Sequence, residues 1–148
     1  MPRLEFRLDL PGVPRDVIAA FHADPRVLEW LSPPGKRVRV LERPERIAEG
    51  SRVVIEVAPF GIPLRWVSRI EVWEPPVRFV DVQVAGPFAH WRHEHLFEEG
   101  ALVDRVDYEV PLALAGGRLV DLAFIRRDLR RMFRHRHEAT AQRLLGKR

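Results

Sequence analysis

Between residues 91 and 97, rings recur at every second position: Trp91, His93, His95 and Phe97, with Arg92, Glu94 and Leu96 between them. At the two-residue period of an extended chain, this puts an indole, a phenyl ring and two imidazoles on one face and mostly charged groups on the other. Imidazoles exchange protons near neutral pH, bind metals and hydrogen-bond. Set among aromatic rings, they suit the wall of a space that is apolar in bulk and polar at a few points, which is what a small-molecule site requires. The pattern also describes a core strand whose histidines are merely hydrogen-bonded.

Glu99-Gly100 reads as a hairpin turn, and closing the chain there pairs Phe97 with Leu102, His95 with Asp104, His93 with Val106 and Trp91 with Tyr108. His95–Asp104 is then a candidate charge-assisted hydrogen bond, with the carboxylate favouring the imidazolium. Three chemistries are open to this set. The first is reversible binding in a pocket lined by Trp66, Ile70, Val80, Val82, Trp91, His93, His95 and Tyr108, where imidazole and phenol groups hold a carbonyl, hydroxyl or carboxylate of an otherwise apolar molecule. The second is catalysis, with His95 as a general base oriented by Asp104 and Tyr108 polarising a carbonyl. No Ser or Cys nucleophile stands beside that pair, although Ser68 could share the face. The third is metal binding, since His93-x-His95 with Asp104 offers ligand types zinc accepts. Two histidines in a strand with no further ligand at a set spacing carry little weight, so no metal or cofactor is expected. Binding is the favoured reading, and the residues leave open whether a reaction follows it.

The elements that must position these groups are legible in the periodicity. Arg3 to Leu10 alternates, with Leu4, Phe6, Leu8 and Leu10 on one face. After Pro11-Gly12, Pro14 opens a short helix carrying Val17, Ile18 and Phe21, and a second carries Val27, Leu28, Trp30 and Leu31 before Ser32-Pro33-Pro34-Gly35 stops it. From Lys36 the pattern is strand after strand: Lys36–Arg43, Ser51–Pro59, Ile62–Glu74, Val77–Ala85, His90–Glu98 and Leu102–Leu112, with Phe60-Gly61 as a further turn. The last segment changes period. Leu122, Ile125, Leu129, Met132 and Phe133 share one stripe, opposite Arg126, Arg127, Arg130, Arg131 and Arg134. A helix of about 28 residues is expected, ~40 Å long at 1.5 Å per residue. The fold class is therefore α+β: a curved antiparallel sheet of six to seven strands around a long C-terminal helix, with residues 1–148 forming one domain.

Several stretches resemble the START/Bet v 1-like superfamily with its helix-grip fold, in particular its small bacterial SRPBCC ligand-binding domains. They are Phe21…Leu28-Glu29-Trp30-Leu31-Ser32-Pro33-Pro34, then Pro75-Pro76…Phe79-Val80-Asp81…Gln83…Gly86-Pro87-Phe88…Trp91…His93…His95…Phe97, then Asp104…Val106…Tyr108…Pro111 and Phe133-Arg134-His135-Arg136. The resemblance covers nearly the whole chain and implies an internal cavity for a hydrophobic or aromatic molecule. It does not name the ligand, because that superfamily includes lipid carriers, cyclases and stress-response binders. His135 stands where the resemblance leads one to expect Tyr. Access past the short helices and Ser32-Pro33-Pro34-Gly35 is implied by the fold analogy alone; proline restricts that segment, while Gly35 and Gly61 permit bends.

Charge and composition bound the partners. Of the formal net charge of +4, the segment from Arg118 onward carries ten basic residues against three acidic, while the rest carries fifteen against eighteen. An arginine stripe without interleaved aromatics is foremost a solvated helix face; it disfavours nucleic acid and is compatible with weak contact to an anionic membrane. Arg136 is the exception: it aligns with Ile125 and Leu129 on the face expected to be buried, and so must be paired, reach past the sheet edge, or await an acidic head group. There is no Cys, which excludes disulfides and thiolate chemistry, and no Asn, with 13 Pro, which fits a thermophile. No segment is apolar enough for a bilayer or a signal peptide, so the cytoplasm is the expected compartment. An exposed sheet edge would allow a homodimer.

Overall fold

The computed structural model describes residues 2–33, 37–58, 61–111 and 124–146. Alternation makes the first strand, β1 (Arg3–Asp9): Leu4 is buried and Phe6 and Leu8 half-buried, while Arg3, Glu5, Arg7 and Asp9 are exposed. Pro14 stands at the N-cap of α1 (Arg15–Ala23), which buries Ile18 and Ala19. Pro25 ends it, since proline offers no N–H and drives the residue before it out of the helical region. A single turn follows, α2 (Val27–Leu31).

Six more strands come next: β2 (Val38–Glu42), β3 (Arg52–Val57), β4 (Leu64–Glu74), β5 (Arg78–Ala85), β6 (His90–Glu98) and β7 (Ala101–Glu109). The sheet has seven antiparallel strands in the order β1-β7-β6-β5-β4-β3-β2. The first strand thus pairs with the last, and α1 and α2 carry the chain to the opposite edge, from which hairpins bring it back. Register shifts between Val40 and Glu42, Val67 and Ser68, and Ile70 and Val72 add bends to the sheet. β2 and β3 are shorter than their apolar runs, and β7 begins one residue earlier and ends at Glu109. Pro34-Gly35, Phe60, Leu112 and Leu122 lie outside the described residues.

The long helix, α3 (Arg126–Leu145), has 20 described residues and a length of about 30 Å. Leu129, Phe133, His137 and Thr140 are buried, a stripe at helical spacing that faces the sheet. The part of the expected 28-residue helix ahead of residue 124 lies outside the described residues. α3 packs against β1 and α2, and the guanidinium of Arg143 lies 4.7 Å above the Trp30 ring. That contact, and its own 57% exposure, make Trp30 a surface residue joining two helices. Glu29 fastens α2 to the sheet edge by accepting the Val40 N–H at 2.9 Å.

Among the described residues the apolar interior falls into two clusters. One gathers Leu10, Ile18, Ile70, Phe79, Phe97 and Leu102; the other gathers Leu4, Trp91, Val106, Tyr108, Leu129 and Phe133. Along β6 the chain passes from Trp91 in one to Phe97 in the other through His93 and His95. Along β7 the passage runs through Asp104, and along α3 through His137. The ionisable residues thus form a band between two hydrophobic masses. On the outer face, Arg105 contacts Glu5 at 2.7 Å and Glu94 at 3.3 Å, while Arg78 contacts Glu94 at 2.8 Å and Glu74 at 2.9 Å. This chain of ion pairs crosses five strands and accounts for the charged back of β6.

Candidate functional site

Sheet and helix diverge to leave a cavity of about 470 Å³. Its apolar wall includes Ile55, Trp66, Ile70, Trp73, Phe79, Phe88, Trp91, Leu129, Met132 and Phe133. The ionisable band reaches the same cavity with Asp81, His93, His95, Asp104, Arg136 and His137. The aromatic end is tightly built: Trp66 meets Trp91 edge-on at 5.1 Å and Phe88 lies 4.9 Å from Trp91. Phe88 is held there by Gln83, whose amide donates to the Phe88 carbonyl at 2.7 Å and accepts its N–H at 3.1 Å. A Cβ on Gly86 would sit 2.7 Å from Gln83 Oε1 and would push that amide off its bonds to Phe88.

The hairpin register is the one the turn implies: Trp91↔Tyr108, His93↔Val106, His95↔Asp104 and Phe97↔Leu102, with Gly100 at φ 74. The hydrogen bonds nevertheless differ from the sequence expectation. Asp104 Oδ1 takes the Nε2 of His93, its diagonal neighbour, at 2.7 Å, and Oδ2 takes Nε2 of His137 from α3 at 2.6 Å. His95 Nδ1 lies 3.5 Å from Asp104 Oδ1 and makes no hydrogen bond. Its Nε2 instead meets Asp81 Oδ2 at 2.8 Å. A short Asp side chain reaches a diagonal imidazole as readily as the one directly opposite, and β5 supplies a second carboxylate that the hairpin alone does not contain. The two imidazoles stack with centroids 3.7 Å apart, between Phe79 on one side and Phe133 edge-on to His93 on the other.

Burial and pairing oppose each other in this band. Burial pushes the Asp104 carboxyl up, but the hydrogen bonds from His137 and His93 and the nearby imidazoles outweigh it and hold it well below 3.8. Asp81 is likewise raised by burial and lowered further by the His95 hydrogen bond and by His93, His95 and Arg136. His95 is lowered by burial and by its neighbour His93, against the opposing pull of Asp81 and Asp104, which favour the imidazolium. Arg136 is lowered by burial, with Asp104 and Asp81 opposing. It lies 5.6 Å from the Phe133 ring and makes no hydrogen bond or ion pair among the described residues.

Of the residues expected from sequence, Trp66, Ile70, Trp91, His93, His95, Asp104 and Arg136 meet at the cavity. Val80 and Val82 do not: they pair with Glu94 and Arg92, on the face opposite the imidazoles, while Phe79 and Asp81 pair with His95 and His93. Hydrophobicity pointed the wrong way because β5 carries apolar residues on both faces. Tyr108 shares the inner face but is fully buried in the cluster with Leu4 and Trp91, behind the cavity wall. Asp81 and His137 are additions from the structure. His137 follows Phe133 at helical spacing, a signal available in the sequence; Asp81 had none beyond its strand phase. Asp81, His93 and His95 place ligand-type atoms within 4.8 Å of one another.

A bent antiparallel sheet closed on one long helix around a cavity is the helix-grip architecture of START/Bet v 1-like proteins. Residues 12–139 match the family described as polyketide cyclase / dehydrase and lipid transport, and the chain belongs to that family. Among solved structures, the protein TTHA0849 from Thermus thermophilus is similar at TM-score 0.76 and 19% identity, with 98% of each chain covered. A START superfamily protein from Mycobacterium smegmatis is similar at TM-score 0.66 and 14% identity over 97% of each chain. The Zhui aromatase/cyclase from a Streptomyces species is similar at TM-score 0.64 and 18% identity, covering 95% of this chain and 94% of its own. At such identities the likeness concerns the fold. No curated protein matches the sequence. No helix among the described residues is long and apolar enough to cross a membrane.

Proposed function

We propose that residues 1–148 act as one binding unit that holds a hydrophobic or aromatic small molecule in the central cavity and orients a polar group of that molecule against the ionisable band. The observation that carries this reading is the cavity itself: about 470 Å³, apolar over most of its wall, with the polar groups gathered in one band. That volume suits a molecule of drug or metabolite size. Arg136 favours an acidic group on the ligand, because a half-buried guanidinium at the cavity wall without a direct partner gains most from an arriving carboxylate or phenolate. The test uses Trp66 and Trp91 as reporters. Titration with aromatic acids and fatty acids is expected to change tryptophan emission and displace an apolar dye in parallel. No heat, no emission change and no displacement across such a panel would remove the proposal.

A second reading is supported by one geometric fact. With Nε2–H given to Asp81, His95 has the carboxylate orientation of a general base; its unpartnered Nδ1 is buried beside Asp104 Oδ1 and would serve as that base only once the ring turns it toward the cavity. The orienting carboxylate in such an enzyme is Asp81 rather than Asp104, and Tyr108 does not line the reaction space. Cyclisation or dehydration, the family's described chemistry, would use such a base. Loss of turnover in His95→Ala with ligand affinity kept would support catalysis; unchanged turnover would end it.

A further inference from the structure

We infer that Asp81, His93 and His95 form a binding site for a divalent first-row transition metal ion, with Asp104 as the outer carboxylate that holds both imidazoles. The argument starts from proton positions. A neutral imidazole carries one N–H, and here each ring points its Nε2 at a carboxylate: His93 at Asp104 Oδ1, 2.7 Å, and His95 at Asp81 Oδ2, 2.8 Å. Each Nδ1 lone pair then faces the other carboxylate: His93 Nδ1 lies 3.9 Å from Asp81 Oδ2, and His95 Nδ1 lies 3.5 Å from Asp104 Oδ1. The His95 Nδ1 is buried without a hydrogen bond, and each Nδ1 lone pair stands beside a carboxylate, Asp104 buried and Asp81 half-buried, an unfavourable arrangement that hydrogen bonds within the band do not relieve.

A cation beside Asp81 relieves both contacts. Ligated by Asp81 Oδ2, His93 Nδ1 and His95 Nε2, it takes the first lone pair directly. The His95 proton moves from Nε2 to Nδ1, where it points at Asp104 Oδ1. No proton is lost from the rings. Asp104 then receives an N–H from each ligating imidazole and a third from His137 Nε2 at 2.6 Å. Metal-bound histidines generally hand their other N–H to such a carboxylate, which fixes the ring and raises its basicity. Doubly protonating the rings would satisfy the same lone pairs, but it would stack two cations 3.7 Å apart.

The ligand set suits zinc, cobalt or iron in the divalent state: two imidazoles and one carboxylate, with the remaining position facing the cavity. Asp81 and Asp104 against Arg136 leave a formal charge of −1 with neutral imidazoles, and a divalent ion reverses it, so the open position favours an anionic oxygen. The sequence expectation of no metal used Asp104 as the third ligand; the fold moves that role to Asp81. Both rings turn about χ2 to bring their lone pairs onto one point, which opens the 28° stack.

The experiment uses tag-free protein stripped with a chelator and re-equilibrated with Co²⁺ or Zn²⁺. The expected results are one ion per chain after gel filtration, visible cobalt bands of a four- or five-coordinate site, and shifted ring nitrogens of His93 and His95 in the unmutated protein. Asp81→Asn is expected to abolish retention. Asp104→Asn keeps the stoichiometry but weakens affinity by roughly 10- to 100-fold, and His90→Ala, on the opposite face of β6, leaves it unchanged. No retained ion with unshifted ring nitrogens, or equal retention by Asp81→Asn, overturns the site. The site does not rest on the organic ligand: metal retained without ligand binding refutes only the previous proposal, and ligand binding without metal refutes only this one.

Discussion

Replacing Asp104 by Asn keeps the shape of the side chain and removes its charge at the centre of the polar band. Asp104 is 5% exposed and accepts two short bonds, from His93 and from His137 on α3. The amide oxygen of Asn still accepts one of them, while its NH₂ confronts the other imidazole, which must change tautomer or lose its partner. The loss is close to one charge-assisted hydrogen bond, about 2–3 kcal/mol. For a chain of this length that lowers the melting temperature by roughly 5–10 °C. The pH dependence gives an independent check. The folded carboxyl titrates below the ordinary 3.8, so in acid the unfolded chain binds more protons than the folded one. The stabilisation is therefore complete above pH 3.8 and is lost as pH falls below it. Asn has no such proton to take up. Urea denaturation of both proteins from pH 7 to pH 3 should show a wide gap that narrows on the acid side. Equal stability at pH 7, or a gap that stays constant to pH 3, would refute the assignment of Asp104 as the anchor between sheet and helix.

Further expectations follow from the same geometry. Ser68→Phe sends a ring into the cavity from the middle of β4 and should abolish dye and ligand binding while calorimetry shows a nearly unchanged unfolding transition. Arg136→Met removes a half-buried cation at the cavity wall with no direct partner, so affinity for an aromatic or fatty acid should fall at least tenfold while affinity for its neutral ester changes little, as read by titration calorimetry. His22 lies at the cavity wall with Nδ1 2.9 Å from the Ile18 carbonyl, and burial pushes its imidazole down to about 4. Its folded value lies below the unfolded 6.5, so the unfolded chain binds the extra proton and stability falls as pH drops from 6.5 towards 4, by at most about 3 kcal/mol. His22→Gln should abolish that part of the acid loss in denaturant titrations at pH 7, 5.5 and 4.

Local rules reached far into this molecule. Period-two alternation from Trp91 to Phe97 needs only the geometry of an extended chain, and the Glu99-Gly100 turn then determines which residue of β7 faces which residue of β6. Both are short-range constraints, so the inward imidazoles, the pairing of His95 with Asp104 across the hairpin, and the strand and helix order were all legible without coordinates. So was the inward alignment of Arg136 with Leu129, because helical spacing is equally local. The phase of β5 was not. With Phe79, Val80 and Val82 distributed over both faces, its own residues do not say which side faces the cavity, and only pairing with β6 turned Asp81 inward. The partners of Asp104 depended on that phase and on where α3 crosses the sheet, which brings His137 to within 2.6 Å of it. A hydrogen bond is decided by ångströms and by which of several donors arrives first, and residues 33 positions apart meet only after the whole sheet has curled round the helix.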